Sequence, residues 1–203
     1  MPKQIDHNQR RDEIARAACL VIAEKGFAQT KLVDIAKTAG CTTGALRHYF
    51  ETKDDILNAA TNYSRLHSRV RLDNASRRVP YSLVDTLFET LPTNPAQTVF
   101  IKVWMEMNVR SMGSAVLAAE AAASARNWAA RIKEELVKAR ENGQIDKGAD
   151  VDAAGELMAL GIIGLINRAI MDPEKWPRGK QRTTLEQLVE RVSSGGGKKR
   201  HAC

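Results

Sequence analysis

Apolar residues recur at helical spacing along most of the chain, and no stretch alternates apolar and polar positions as a half-buried strand does. The first run, Ile14, Ala17, Ala18, Val21 and Ile22, predicts a helix closed by Lys25-Gly26, with Phe27 behind it as a plug for a small core. Leu32, Ile35, Ala36 and Ala39 follow at i, i+3, i+4 and i+7. Gly40 then stands where a helix end needs a left-handed residue free of a Cβ penalty. Thr42 or Thr43 can cap the next helix, whose inward residues are Leu46 and Phe50. Thr52, with Asp55 three residues on, caps a longer helix through Ile56, Leu57, Ala60, Tyr63 and Leu66 toward Arg71. The two middle helices are too short to stand without a third element to lean on.

The same periodicity continues to about residue 192 and predicts an all-α protein. Pro80 and the stretch 91–95 bracket a short amphipathic helix carrying Leu83, Val84, Leu87, Phe88 and Leu91. Between 99 and 112, Lys102, Glu106 and Arg110 form an ion-paired polar stripe opposite Phe100, Val103, Trp104 and Met107. Asn108 falls among the flanking apolar residues and is either a satisfied core amide or a ligand contact. An Ala-rich helix anchored by Trp128 ends at Asn142-Gly143. Asp150 or Asp152 caps a helix apolar nearly all round, expected to be buried on both sides, in which Gly161 and Gly164 admit a neighbouring backbone. Leu185, Leu188 and Val189 mark a last helix over 184–192. The tail 193–203, with three glycines and Lys198-Lys199-Arg200, has nothing to bury and is expected to be disordered.

The short helices between 30 and 57 leave Thr42, Thr43, Ala45, Arg47, His48, Tyr49 and Lys53 facing outward. Hydrogen bonders, an aromatic ring and cations on one face are the chemistry of a major-groove reader. Gly26-Phe27, Thr30, Asp34-Ile35-Ala36, Gly40, Thr42, Gly44, Leu46, the His48-Tyr49-Phe50 run and Lys53 occur in order within about fifty residues. This set resembles the DNA-binding domain of the TetR (tetracycline-repressor-like) family of bacterial transcriptional regulators. One position departs from the pattern: the residue after Leu46 is commonly aromatic in the family and is Arg47 here.

The resemblance implies a three-helix helix-turn-helix domain over 1–53 and a helical effector-binding and dimerisation domain over 54–192, followed by the tail. It implies a homodimer in which the helices near 151–171 and 183–192 pair across a two-fold axis as a four-helix bundle. The expected function is a ligand-responsive repressor, bound to a palindromic double-stranded DNA operator and released by a small, largely apolar effector. The alternative is a DNA-binding activator or an effector-independent regulator. On DNA, Thr42, Thr43 and Tyr49 would position the reader helix on phosphates, with Thr30, Lys31, His48 and Lys53 adding backbone contacts. Arg47 would read a guanine, Ala45 would touch a thymine methyl, and Gly44 would permit close approach. Trp104, Met105, Asn108 and Asn167 are the expected effector contacts. The two amides fall on apolar helical faces, where leaving one unpaired costs about 1–3 kcal/mol.

Charge adds little to this picture. The net charge is +7, yet residues 1–55 hold nine Lys/Arg against eight Asp/Glu, so the excess lies elsewhere. It sits at Arg65, Arg69, Arg71, Arg77, Arg78 and in the tail. Three cysteines show no metal-ligand spacing, and Cys19 and Cys41 read as small core or interface residues rather than redox sensors. No phosphate loop, dinucleotide fingerprint or nucleophile motif accompanies the four histidines, His7, His48, His67 and His201. Neither an enzyme nor a metal or other cofactor is expected. The N-terminal stretch lacks an apolar signal core, and the longest apolar run, 157–166, is about half a membrane span. A cytoplasmic, nucleoid-associated protein without a membrane partner is the expectation.

Overall fold

A computed structural model describes residues 7–193, so Lys3 and the basic tail at 194–203 lie outside the described residues. The described residues form nine α-helices and no strand. They fall into two compact units, one within 7–69 and 94–118 and the other within 70–93 and 119–193.

The first unit is built on α1 (His7–Gln29), α2 (Leu32–Thr38), α3 (Thr43–Tyr49), the start of α4 (Lys53–Ser76) and α6 (Pro95–Ser111). At Gly26 the backbone leaves helical geometry at φ 74°, ψ 159°, a conformation that glycine adopts without a Cβ penalty. Ile14, Ala18, Ile22, Ile35, Leu46, Phe50, Ile56, Leu57 and Ala60 fill one core, as their spacing predicts. Val103 of α6 is buried in that same core, with Val99, Phe100 and Met107 against it. The Cys19 thiol is buried there too; its Sγ donates to the Ala60 carbonyl, and burial pushes its pKa up to about 12.

The second unit holds the end of α4, α5 (Leu83–Phe88), most of α7 (Ala115–Glu141), α8 (Val151–Met171) and α9 (Arg178–Ser193). Asp150 caps α8, its Oδ1 accepting from the amides of Asp152 and Ala153. α9 begins six residues before the predicted 184, because Gln181, a polar residue, is buried there and donates through Nε2 to the Trp176 carbonyl. It also runs through Ser193, which the sequence assigned to the tail. The end of α4 is tied to α7 by a buried polar network. Ser76 Oγ and Tyr81 Oη each lie 3.0 Å from Glu135 Oε2, and Arg131 pairs with both Glu135 and Asp73.

α8 departs from expectation. It packs on α9 along one face, but Leu157 and Leu160 are 60% and 62% exposed. Met171 and Gly164 lie on the same open side. Burial on both sides does not occur within a single chain.

Candidate nucleic-acid interface

The Gly40 turn, at φ 63°, lets α2 hand over to α3 within four residues. The Cys41 amide donates to the Ala36 carbonyl, closing the end of α2. Thr42 is then the N-cap of α3, its Oγ1 accepting from the Ala45 amide at 3.1 Å. Leu46 and Phe50 are inside the core, which anchors one side of α3 and leaves Thr43, Gly44, Ala45, Arg47 and His48 exposed to solvent. Tyr49 is half-buried, its ring 5.4 Å from that of His48. A Cβ on Gly44 would meet nothing closer than Thr42 Oγ1 at 3.8 Å, so the chain itself leaves room there.

The next helix start is set by a reciprocal capping pair, the Thr52 amide on Asp55 Oδ2 and the Asp55 amide on Thr52 Oγ1. Hydrogen bonding from Thr52, with the Arg11 charge a smaller contribution, holds the Asp55 carboxyl below its ordinary range. Lys31 is exposed at the N-cap of α2. Lys25 lies 3.1 Å from Asp34 and lowers the pKa of that carboxyl.

Two of the expected phosphate contacts are engaged elsewhere. Thr30 is buried and its Oγ1 donates to the Gly26 carbonyl at 2.7 Å, so its side chain has nothing to offer a phosphate. Lys53 donates to the Phe27 carbonyl at 2.7 Å and stands 4.3 Å over the Phe27 ring, at the carbonyl end of α1 where a cation is favoured. Arg110 of α6 covers the same ring at 4.1 Å and pairs with Asp54 at 3.0 Å. Glu106 accepts the Phe27 amide at 2.9 Å. Glu106 and Arg110, read from sequence as members of one ion-paired stripe, thus hold the corner between α1 and α2. Their spacing was visible in sequence; their partners, far away along the chain, were not.

Of the expected effector contacts, Trp104, Met105 and Asn108 are half-buried on α6, in the first unit. Asn167 is exposed on α8, in the second unit. Two open clefts, of about 400 Å³ beside Asp12, Arg16 and Tyr63 and about 640 Å³ along α7, touch none of these four residues. His7 and Arg11, by contrast, contact α3 directly.

Comparison with known proteins agrees with this geometry. Residues 14–60 match the family described as bacterial regulatory proteins, tetR family. Residues 82–194 match the BetI-type transcriptional repressor C-terminal family. The transcriptional regulator PksA of Bacillus subtilis is 30% identical over 195 residues, covering 95% of this chain and 94% of the relative. A TetR-family regulator from Rhodococcus sp. superposes with a TM-score of 0.74 at 23% identity, over 92% of this chain and 100% of that one. SmeT, repressor of a Stenotrophomonas maltophilia multidrug efflux pump, was solved with triclosan. It gives a TM-score of 0.69 at 26% identity, over 92% of this chain and 93% of its own.

Proposed function

We propose that this chain, which belongs to the TetR family of bacterial transcriptional regulators, is a ligand-responsive repressor that holds a palindromic operator as a homodimer. The observation that carries the reading is α3, with Leu46 locked in the core and Thr43, Gly44, Ala45, Arg47 and His48 presented to solvent. Arg47 reads a guanine edge, Ala45 packs on a thymine methyl, and Gly44 lets the backbone come close. Thr42, Thr43, Lys31, His48 and Tyr49 set register on the phosphates. Lys53 acts mainly as the staple of α1 to α4 and contributes its charge to the same surface. The match to BetI-type repressors supports repression as the outcome. The protein works in the cytoplasm, at the nucleoid.

The effector is a small, mainly apolar molecule meeting α6 at Trp104, Met105 and Asn108. Triclosan in SmeT supports that class of ligand. α6 also carries Glu106 and Arg110, whose contacts at Phe27 and Asp54 tie it to the reader. A ligand that moves α6 therefore moves the α1–α2 corner, and it releases DNA only if it prefers that displaced state. The experiment has two stages. The protein first selects a duplex from a random pool, and selection of an inverted repeat containing two like half-sites is expected. Triclosan and a panel of apolar compounds are then titrated into the complex, and release by at least one compound is expected. Failure to prefer any duplex would overturn the operator reading. A compound that binds tightly, with Trp104→Ala binding it equally well, would overturn the effector site.

A further inference from the structure

The first turn of α1 reaches the far end of the reader helix. His7 and Arg11 are one helical turn apart and lie on the same face of α1. Arg11 donates through Nη1 to the carbonyl oxygen of Tyr49, the last residue of α3. Its guanidinium carbon lies 4.4 Å from the centroid of the Phe50 ring, which is buried. His7 packs ring to ring, with centroids 4.8 Å from Tyr49 and 6.5 Å from His48. A seven-residue helix leaves its last carbonyls without partners, and a cation there meets both the orphan oxygen and the negative end of the dipole. The fork of Arg11 is thus turned into the protein, one arm on a carbonyl and one flat face on a ring.

We propose that Arg11, supported by His7, is a positioning residue that fixes the pitch of α3 and thereby sets sequence discrimination, rather than a phosphate contact. The proposal rests on α3 being the DNA-reading element. Leu46 and Phe50, four residues apart, hold α3 to the core along a single line, about which a short helix can roll. The Thr42 cap and the Gly40 turn restrain its beginning. Its end runs straight into the break before Lys53, and Arg11 is the side chain that closes it. Arg47 lies two residues from the held carbonyl. A guanidinium that must meet two acceptors on one base tolerates little displacement, whereas phosphate contacts through long side chains adapt.

The test uses the full chain, the duplex selected by the wild-type protein and a random duplex of equal length, with binding measured over a range of KCl concentrations. Arg11→Ala is expected to lose roughly tenfold on the selected duplex, the cost of degrading one base contact. Affinity for the random duplex should stay within about twofold and the salt slope should be unchanged. Arg11→Lys keeps the charge but not the flat fork, and should lose part of the ratio of selected to random affinity. Equal weakening on both duplexes, with the slope reduced by about one, would identify a phosphate contact and overturn the proposal. A wild-type ratio in Arg11→Lys would overturn it as well, and that variant decides the matter should Arg11→Ala fail to fold by circular dichroism. A wild-type protein that selects no duplex overturns the underlying operator reading instead, a result distinct from any change in ratio.

Discussion

At the scale of single residues, Arg47 and Lys53 show two cations of one surface put to different uses. Arg47 is exposed on α3, turned about 100° round the helix from buried Leu46 and free to lie flat against a base edge. Arg47→Ala should weaken operator binding by about 1–3 kcal/mol and relax preference at one base pair per half-site. Isotherms on single-base variants of the operator would measure this, and equal loss on random DNA would make Arg47 a phosphate contact. Lys53 is half-buried, with its ammonium on the Phe27 and Ala28 carbonyls and over the Phe27 ring. Lys53→Ala should therefore cost about 1 kcal/mol of stability, a charged hydrogen bond discounted for partial exposure. It should flatten the salt dependence of DNA binding only slightly. Urea unfolding together with the salt titration separates the two effects, and an unchanged unfolding midpoint would remove the staple. Both residues looked alike in the sequence because each is a cation on a polar helix face. What distinguishes them is Phe27, twenty-six residues before Lys53, and no local pattern encodes that approach.

Among the helices, legibility follows the range of the forces that make them. The turn from α2 to α3 was readable because Gly40, Thr42, Leu46 and Phe50 act within a few residues of one another, and the Thr52–Asp55 pair likewise. The beginning of α9 was not, because Gln181 is buried by the chain's return onto itself rather than by its own polarity. Nor was the attachment of α6 to the first unit, since Val103 joins a core whose other buried members lie far back along the chain. The α5–α9 tie shows the same long reach. Arg182 lies 2.7 Å from Asp85, ninety-seven residues away, and also stands over Phe88. Its hydrogen bond, foremost, holds the Asp85 carboxyl below the ordinary carboxylate range. A depressed folded pKa means that the pair stabilises above the unfolded value of about 3.9 and that this contribution disappears as pH falls through the folded value. Both side chains are more than a third exposed, so the contribution stays within about 1 kcal/mol. Asp85→Asn should be less stable than wild type at neutral pH, and the gap should close below about pH 4. Denaturation midpoints across pH 2.5 to 7 measure the gap, and a difference that persists at the acid end would assign the effect to packing.

For the molecule as a whole, the open side of α8 is where the proposed homodimer would be held. Leu157, Leu160 and Met171 are each at least 60% exposed, and Gly164 lies among them on the same side. Apolar side chains aligned along one helix are the kind of surface that self-association covers. The two glycines of α8 provide an internal control. A side chain at Gly161 would meet Leu188 of α9 at 3.1 Å, so enlarging it disturbs the chain itself. At Gly164 a Cβ meets nothing within 4 Å, so Gly164→Leu should leave the fold of the single chain intact and act only against a partner. Leu160→Glu has the same logic, placing a charge where an apolar surface is to be buried. Both variants should sediment as monomers at micromolar concentration with wild-type helicity by circular dichroism. Both should bind an isolated half-site as the wild type does, yet lose about 100-fold or more on the palindrome, because the second reader no longer acts at a high effective concentration. A Gly164→Leu protein that remains dimeric and grips the palindrome normally would move the dimer interface away from α8. An unfolded Gly164→Leu protein would mean that α8 is buried by its own chain after all.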